Sequence, residues 1–246
     1  MTTPHVTAVC VTGKTRRHIE YWLPRAQECF IQQTYPVERC HLHLVVSCGK
    51  EDVAWMARAH NMSSLTLAPG SGKSLGDLRN LGLSRVRIAS FYYDNNTMGL
   101  QWDDDDWCHR DRIAAQVAAS QNGTMAVTLQ RQIRYDVDTD CAYVYNGYTR
   151  WGIHGTILHP ATKHRYPDKA KGEDTDFLMH WRDRLVVLDN DPRLYVRFSH
   201  GDSTSGRQHV MGQLADKEGE WHLNRECAEY LREVLAQYDI KPKGRQ

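Results

Sequence analysis

The chain has 246 residues, with 31 Lys and Arg against 30 Asp and Glu and a net charge of +1. That length fits one large α/β domain with a terminal extension, and the balanced charge does not suggest a general nucleic-acid or membrane binder while leaving room for a local basic groove. Seven cysteines (Cys10, Cys29, Cys40, Cys48, Cys108, Cys141, Cys227) are scattered without a CxxC pair, which argues against a disulfide framework and a cysteine zinc site and favours a reducing compartment.

The opening MTTPHVTAVCV has no charged leader, and no stretch approaches the roughly 18 apolar residues of a membrane helix, so a cytoplasmic location is expected. Val6–Val11 reads as a buried strand ending at Thr12-Gly13. His18–Gln33 carries Leu23, Ala26, Phe30 and Ile31 at helical spacing, with Pro24 near the helix start and Tyr35-Pro36 stopping it. His41–Val46 predicts a second strand, Glu51–His60 a short helix, Ser64–Leu67 a third strand and Leu75–Val86 a helix. Strand alternating with helix predicts a parallel sheet with crossover helices.

Ser90–Trp102 then reads as a hairpin around Asp94-Asn95-Asn96, leading into Asp103–Asp106. His109–Gln121 reads as a helix and Met125–Ile133 as one strand. Cys141–Tyr145 and Gly152–Leu158 frame an Asn146-Gly147 turn and predict a second hairpin. Gly172–Arg184 suits a helix, Leu185–Leu188 and Leu194–Phe198 suit strands, and Trp221–Tyr238 reads as an amphipathic closing helix.

Four consecutive aspartates in Leu100–Trp107 (LQWDDDDW) are the strongest chemical feature. Four adjacent negative charges repel one another unless a cation neutralises them, and hard oxygen donors suit Mg²⁺ or Mn²⁺ shared with phosphates. The plainer reading is a solvated acidic turn, against which the flanking Trp102 and Trp107 count. Glu173-Asp174 in KGEDTDF is a second acidic site; alone it suits the first turn of a helix, and beside the aspartate run a general base becomes competitive. His200, in RFSHGDSTSG, could complete a metal shell or touch phosphate. His5, His18, His41, His43 and His60 read as structural or surface residues. Gly70–Ser74 (GSGKS) is a partial phosphate-loop match with Lys73 and Ser74 in place, but Leu67 stands where that motif needs its first glycine.

In their order and spacing these pieces resemble the family 2 glycosyltransferases over most of the chain, Val6 to Ser205. Gly76–Leu83 (GDLRNLGL) looks like the family's Arg-Asn-containing helix and Gly152–Leu158 (GIHGTIL) like its acceptor-side segment. The resemblance implies a GT-A type α/β fold: a central, mostly parallel mixed sheet flanked by helices. It divides residues 1–210 into a nucleotide-sugar-binding half (1–108) and an acceptor-binding half (109–210), with 211–246 a helical extension.

The resemblance further implies a metal-dependent, inverting transfer from a nucleotide-sugar donor. Asp103 and Asp105 match the family's DxD pair, Asp105 as the direct ligand of Mn²⁺ or Mg²⁺, with His200 as a further metal or phosphate contact. Asp104 falls beside the donor, Asp106 would be an auxiliary acid, and Asp174 matches the catalytic base with Glu173 as its neighbour. Thr12, Lys14, Arg79 and Asn80 fall where donor contacts are expected. Where the family often has an acid-rich turn after its second strand, this chain has Ser47-Cys48-Gly49-Lys50, which counts against a UDP-linked donor. The acceptor class is a saccharide or glycan, with a hydroxylated nucleobase in DNA as an alternative. Two rival chemistries share these residues: a P-loop nucleotide-binding enzyme using Lys73 and Ser74, and a metal-dependent nuclease or phosphohydrolase.

Overall fold

The computed structural model describes residues 3–12, 15–47, 65–68, 72–93, 96–201, 210–212 and 219–240. The predicted Glu51–His60 helix lies outside them, as does Lys14.

The apolar run β1 (His5–Thr12) is an interior strand of a seven-stranded sheet. It pairs in parallel with β2 (Cys40–Val46) on one side and β4 (Thr97–Asp103) on the other, and β3 (Leu65–Leu67) extends the β2 edge. Beyond β4 come β9 (Ile153–Pro160), β6 (Ala126–Leu129) and β10 (Leu185–Leu188), with β9 antiparallel to both neighbours. The register sets Val11 opposite Asp103, so Thr12 and the aspartate run leave the sheet side by side at its carboxyl edge, where α/β sheets bind ligands.

A second sheet of five strands has the order β12 (Trp221–His222), β8 (Cys141–Asn146), β7 (Arg131–Asp136), β11 (Tyr195–Ser199) and β5 (Trp107–Cys108). It adjoins the aspartate run, because β5 follows that run directly.

The helices cover the large sheet. α1 begins with a π-helical turn, His18–Trp22, and continues as Leu23–Ile31; Pro24, which has no N–H to donate to the preceding turn, stands where the π-helical turn gives way to the α-helix. It buries Ile19, Trp22, Leu23, Ala26 and Cys29, each large side chain contributing about 1.5–3 kcal/mol. α2 (Leu75–Tyr92) is capped by the Ser74 hydroxyl, which accepts from Asp77 N at 3.1 Å. Gly82 lets α2 approach β1, since a Cβ there would stand 2.1 Å from Val9 Cγ1. α3 (Arg112–Ala119), α4 (Glu173–Met179) and α5 (Arg225–Gln237) complete the set. From α5, Cys227, Leu231, Val234, Leu235 and Tyr238 enter the same core as α1 and β4.

Four predicted elements are corrected. Ser90–Trp102 is no hairpin: α2 runs on to Tyr92, with Phe91 and Tyr92 exposed on its last turn, and Thr97 begins a parallel strand. Met125–Ile133 is two strands, one in each sheet, broken at Gln130. The strands around Asn146-Gly147 do not pair; β8 pairs with β7 and β9 joins the other sheet, leaving only a Tyr148–Gly152 bridge. The closing helix starts at Arg225, after the short strand β12, because Asn224 caps it by accepting from Cys227 N at 2.8 Å.

Candidate active site

The four aspartates alternate in environment. Asp103 and Asp105 keep 24% and 18% of their side-chain surface exposed, whereas Asp104 and Asp106 are buried. The buried pair is spent on structure. Asp104 accepts from the Thr12 hydroxyl and pairs with His18 Nδ1 at 3.0 Å. Asp106 accepts from the Tyr195 hydroxyl and from Phe198 N at 3.1 Å, tying the turn to β11. Thr12, expected beside the donor, is thus engaged with Asp104.

Their proton affinities diverge accordingly. Burial, reinforced by the Asp105 charge, holds the Asp106 carboxyl well above the usual range. Burial lifts Asp104 to about 6 against the opposing hydrogen bond from His18. Burial also raises Asp103, opposed by the Arg79 guanidinium. Asp105 goes the other way: burial pushes it up, but the hydrogen bond and charge of His200, with His18 and Arg197, bring it below its ordinary value. It is therefore the most firmly anionic of the four.

The two tryptophans pin the turn. Trp102 is fully buried, donates to Ala26 O at 3.3 Å and meets Phe30 edge-on. Trp107 donates to the Tyr230 hydroxyl of α5 at 2.8 Å. A solvated loop has no such anchors.

His200 Nε2 lies 3.2 Å from Asp105 Oδ2, and its ring stacks on Trp22 at 4.7 Å. His18 joins them: among the described residues, one ligand atom each of His18, Asp105 and His200 lie within 4.8 Å of one another. Two imidazoles and a carboxylate are a donor set that fits a divalent transition cation. Asp103, the other expected ligand, lies outside this trio. Sequence reading assigns His18 to structure because nothing local marks it; Asp104 lies 86 positions further along the chain.

The second acidic site faces the first. Asp174 is half-buried, with Oδ1 accepting from Thr175 N at 2.8 Å. Glu173 is buried and pairs with Arg79 Nε at 3.4 Å, while Arg79 Nη2 reaches Asp103 Oδ1 at the same distance. Arg79 thereby links both acidic sites. Between them lies Gly155: a Cβ there would stand 3.6 Å from Asp103 Oδ2 and 3.8 Å from Asp174 Oδ2. The missing side chain leaves the two carboxylates facing a common space. Asn80 is turned elsewhere, its amide donating to Tyr166 O at 2.8 Å and accepting from Tyr166 N at 2.9 Å.

Just beyond the GSGKS segment, the first amides of α2 are already engaged. Gly76 N donates to Lys169 O at 3.2 Å and Asp77 N to Ser74 Oγ; Gly70 and Ser71 lie outside the described residues.

Neither a protein-family model nor a curated protein matches this sequence. Solved structures do match. S. aureus TarS 1-349 in complex with UDP superposes with a TM-score of 0.58 at 12% identity, covering 94% of this chain and 72% of that one. S. aureus TarS gives 0.55 at 11%, over 94% and 44%, and GalNAc-T7 with UDP, GalNAc and Mn²⁺ gives 0.54 at 10%, over 98% and 55%. The chain thus spans about half the length of TarS and GalNAc-T7, and 60% of TarS 1-349 in another of its structures. The fold is the GT-A type of nucleotide-sugar transferases. Among the described residues no helix is long and apolar enough to cross a membrane.

Proposed function

We propose that this chain is a metal-dependent, inverting glycosyltransferase of the family 2 kind, moving a sugar from a nucleotide-diphosphate donor to an acceptor hydroxyl. The observation that carries this reading is the pair of partly exposed carboxylates, Asp103 and Asp105, of which Asp103 faces Asp174 across Gly155, on a fold whose neighbours include TarS with UDP and GalNAc-T7 with UDP, GalNAc and Mn²⁺.

Asp103, Asp105 and His200 would hold Mn²⁺ or Mg²⁺, which when bound supplies Lewis-acid charge to the departing diphosphate. Arg79, fixed between Asp103 and Glu173, adds a permanent positive charge beside the donor. Asp174 takes the proton of the acceptor hydroxyl as its oxygen attacks the anomeric carbon from the face opposite the leaving group. Glu173 holds Arg79. The displacement needs no enzyme nucleophile, in keeping with Cys10 and Cys108, whose thiols burial holds in the protonated form. A saccharide suits the acceptor side, where the exposed Tyr148 ring stacks on His154 and His154 Nδ1 meets the Thr175 hydroxyl at 2.8 Å; a flat aromatic face accepts the apolar side of a sugar ring.

A thermal-shift screen tests this: UDP, GDP, CDP and ADP with their sugar conjugates, with and without Mn²⁺, beside Asp105→Ala. Ligand at about a hundred times its dissociation constant adds roughly 2.7 kcal/mol, or on the order of 5–10 °C. The expected shift needs both metal and one diphosphate and disappears in the variant. ATP or GTP stabilisation with Mg²⁺ that ignores Asp105→Ala but is lost in Lys73→Ala would overturn the proposal in favour of a P-loop enzyme. Net phosphodiester hydrolysis instead of sugar transfer would assign the same acids to a nuclease.

A further inference from the structure

We infer that His18 is a ligand of the catalytic cation, held for that task by Asp104 and Thr12; this rests on the metal-dependent reading above. Three features of the fold converge on this imidazole. One ligand atom of His18 lies within 4.8 Å of those of Asp105 and His200. Asp104 Oδ2 meets His18 Nδ1 at 3.0 Å and accepts from the Thr12 hydroxyl as well, so one side of the imidazole is oriented by a buried carboxylate that is itself anchored. A carboxylate behind a histidine is the arrangement that fixes ring orientation and raises basicity at metal centres. Finally, His18 opens a π-helical turn, a helix irregularity that recurs at functional sites.

That single turn serves both imidazoles. His18 comes from its first residue, and Trp22, its last, stacks on the His200 ring at 18° between planes. The inference explains why the run has four aspartates and not the two that a DxD pair requires: Asp104 positions a ligand from another element, and Asp106 fastens the turn to β11.

A centre with two imidazoles discriminates between cations. Nitrogen donors suit Mn²⁺, Co²⁺ and Zn²⁺ far better than Mg²⁺, which prefers oxygen. The protein should therefore bind Mn²⁺ at least about tenfold more tightly than Mg²⁺.

The experiment is pulsed electron paramagnetic resonance on the full chain loaded with Mn²⁺, alone and with UDP, GDP, CDP or ADP in turn, reading nitrogen-14 modulation, with calorimetric Mn²⁺ titrations alongside. Wild type should show two coordinated imidazoles; His18→Gln should show one and bind Mn²⁺ roughly 10–100-fold more weakly, and Asp104→Asn should keep both nitrogens with a loss nearer tenfold. One imidazole in wild type, or a His18→Gln spectrum and affinity equal to wild type, overturns the role of His18 while leaving the transferase reading intact. If wild type binds no Mn²⁺ with any nucleoside diphosphate, both fall together. The wild-type nitrogen count decides the matter even if His18→Gln fails to fold.

Discussion

The two acidic sites face each other but are built on different principles. The aspartate run is held from every side: Trp102 to α1, Trp107 to α5, Asp106 to β11, and Asp104 to Thr12 and His18. Asp174 is held locally, on the first turn of a seven-residue helix, by the amide of the next residue. Under the proposed function, the contrast follows from the tasks. Ligands of a cation must be pre-positioned against their own repulsion, which takes tertiary packing, whereas a base must exchange its proton with an arriving acceptor and water.

The largest effect should come from separating the two. Asp174→Asn is expected to lower kcat by roughly 10²–10⁴-fold while leaving the Mn²⁺-dependent thermal shift unchanged; loss of that shift would show that the sites are one structural unit. Next, Asp106→Ala removes the acceptor of the Tyr195 hydroxyl and Phe198 N. It should cost roughly 2–3 kcal/mol, seen as a melting temperature lower by roughly 5–10 °C, and unchanged melting would mean the turn is less firmly tied than its contacts imply.

Acid should loosen the base side. His159 is buried beneath α4, its ring against Phe177 and Trp181, and burial lowers its pKa to about 4. Because the unfolded imidazole titrates near 6.5, the unfolded chain binds the extra proton between those values. Stability from His159 is therefore nearly complete above pH 6.5 and falls as the pH drops towards 4, by about 2.5 kcal/mol near pH 4.5. His159→Phe should flatten the decline of melting temperature over that range; an unaltered slope would assign the acid sensitivity elsewhere. The smallest effect is Gly155→Ala. The added Cβ meets Gln101 Nε2 at 3.3 Å and both carboxylates beyond that, so melting should hardly change while kcat/KM falls about tenfold, about 1.4 kcal/mol of transition-state stabilisation.

The same contrast governs what could be read in advance. The strands β1, β2 and β3 and the helix α1 were legible because apolar runs and helical spacing are local signals. The aspartate run was legible as chemistry, but its division of labour was not, since that depends on Thr12, His18 and Tyr195 arriving from distant elements. Met125–Ile133 looked like one strand because residues on both sides of Gln130 are buried; a change of sheet leaves no mark on such a pattern. Asn146-Gly147 did mark a tight turn, where a Gly147 Cβ would stand 2.6 Å from the Gly152 backbone, but nothing in the dipeptide says that the next strand joins another sheet. Phe91, Tyr92 and Tyr93 read as strand by aromatic propensity and instead end a helix, exposed.

Tyr238 carries one consequence further. Its carbonyl accepts from the Tyr21 hydroxyl and Arg25 Nε, and its own hydroxyl donates to Asp106 O at 3.1 Å, 132 positions away along the chain. Ribosomes deliver α1 and the aspartates long before Tyr238, and chains fold as they emerge. On the growing chain the acidic turn is therefore complete in composition while still missing one wall of its enclosure. That wall arrives only with Tyr238, 132 positions after Asp106.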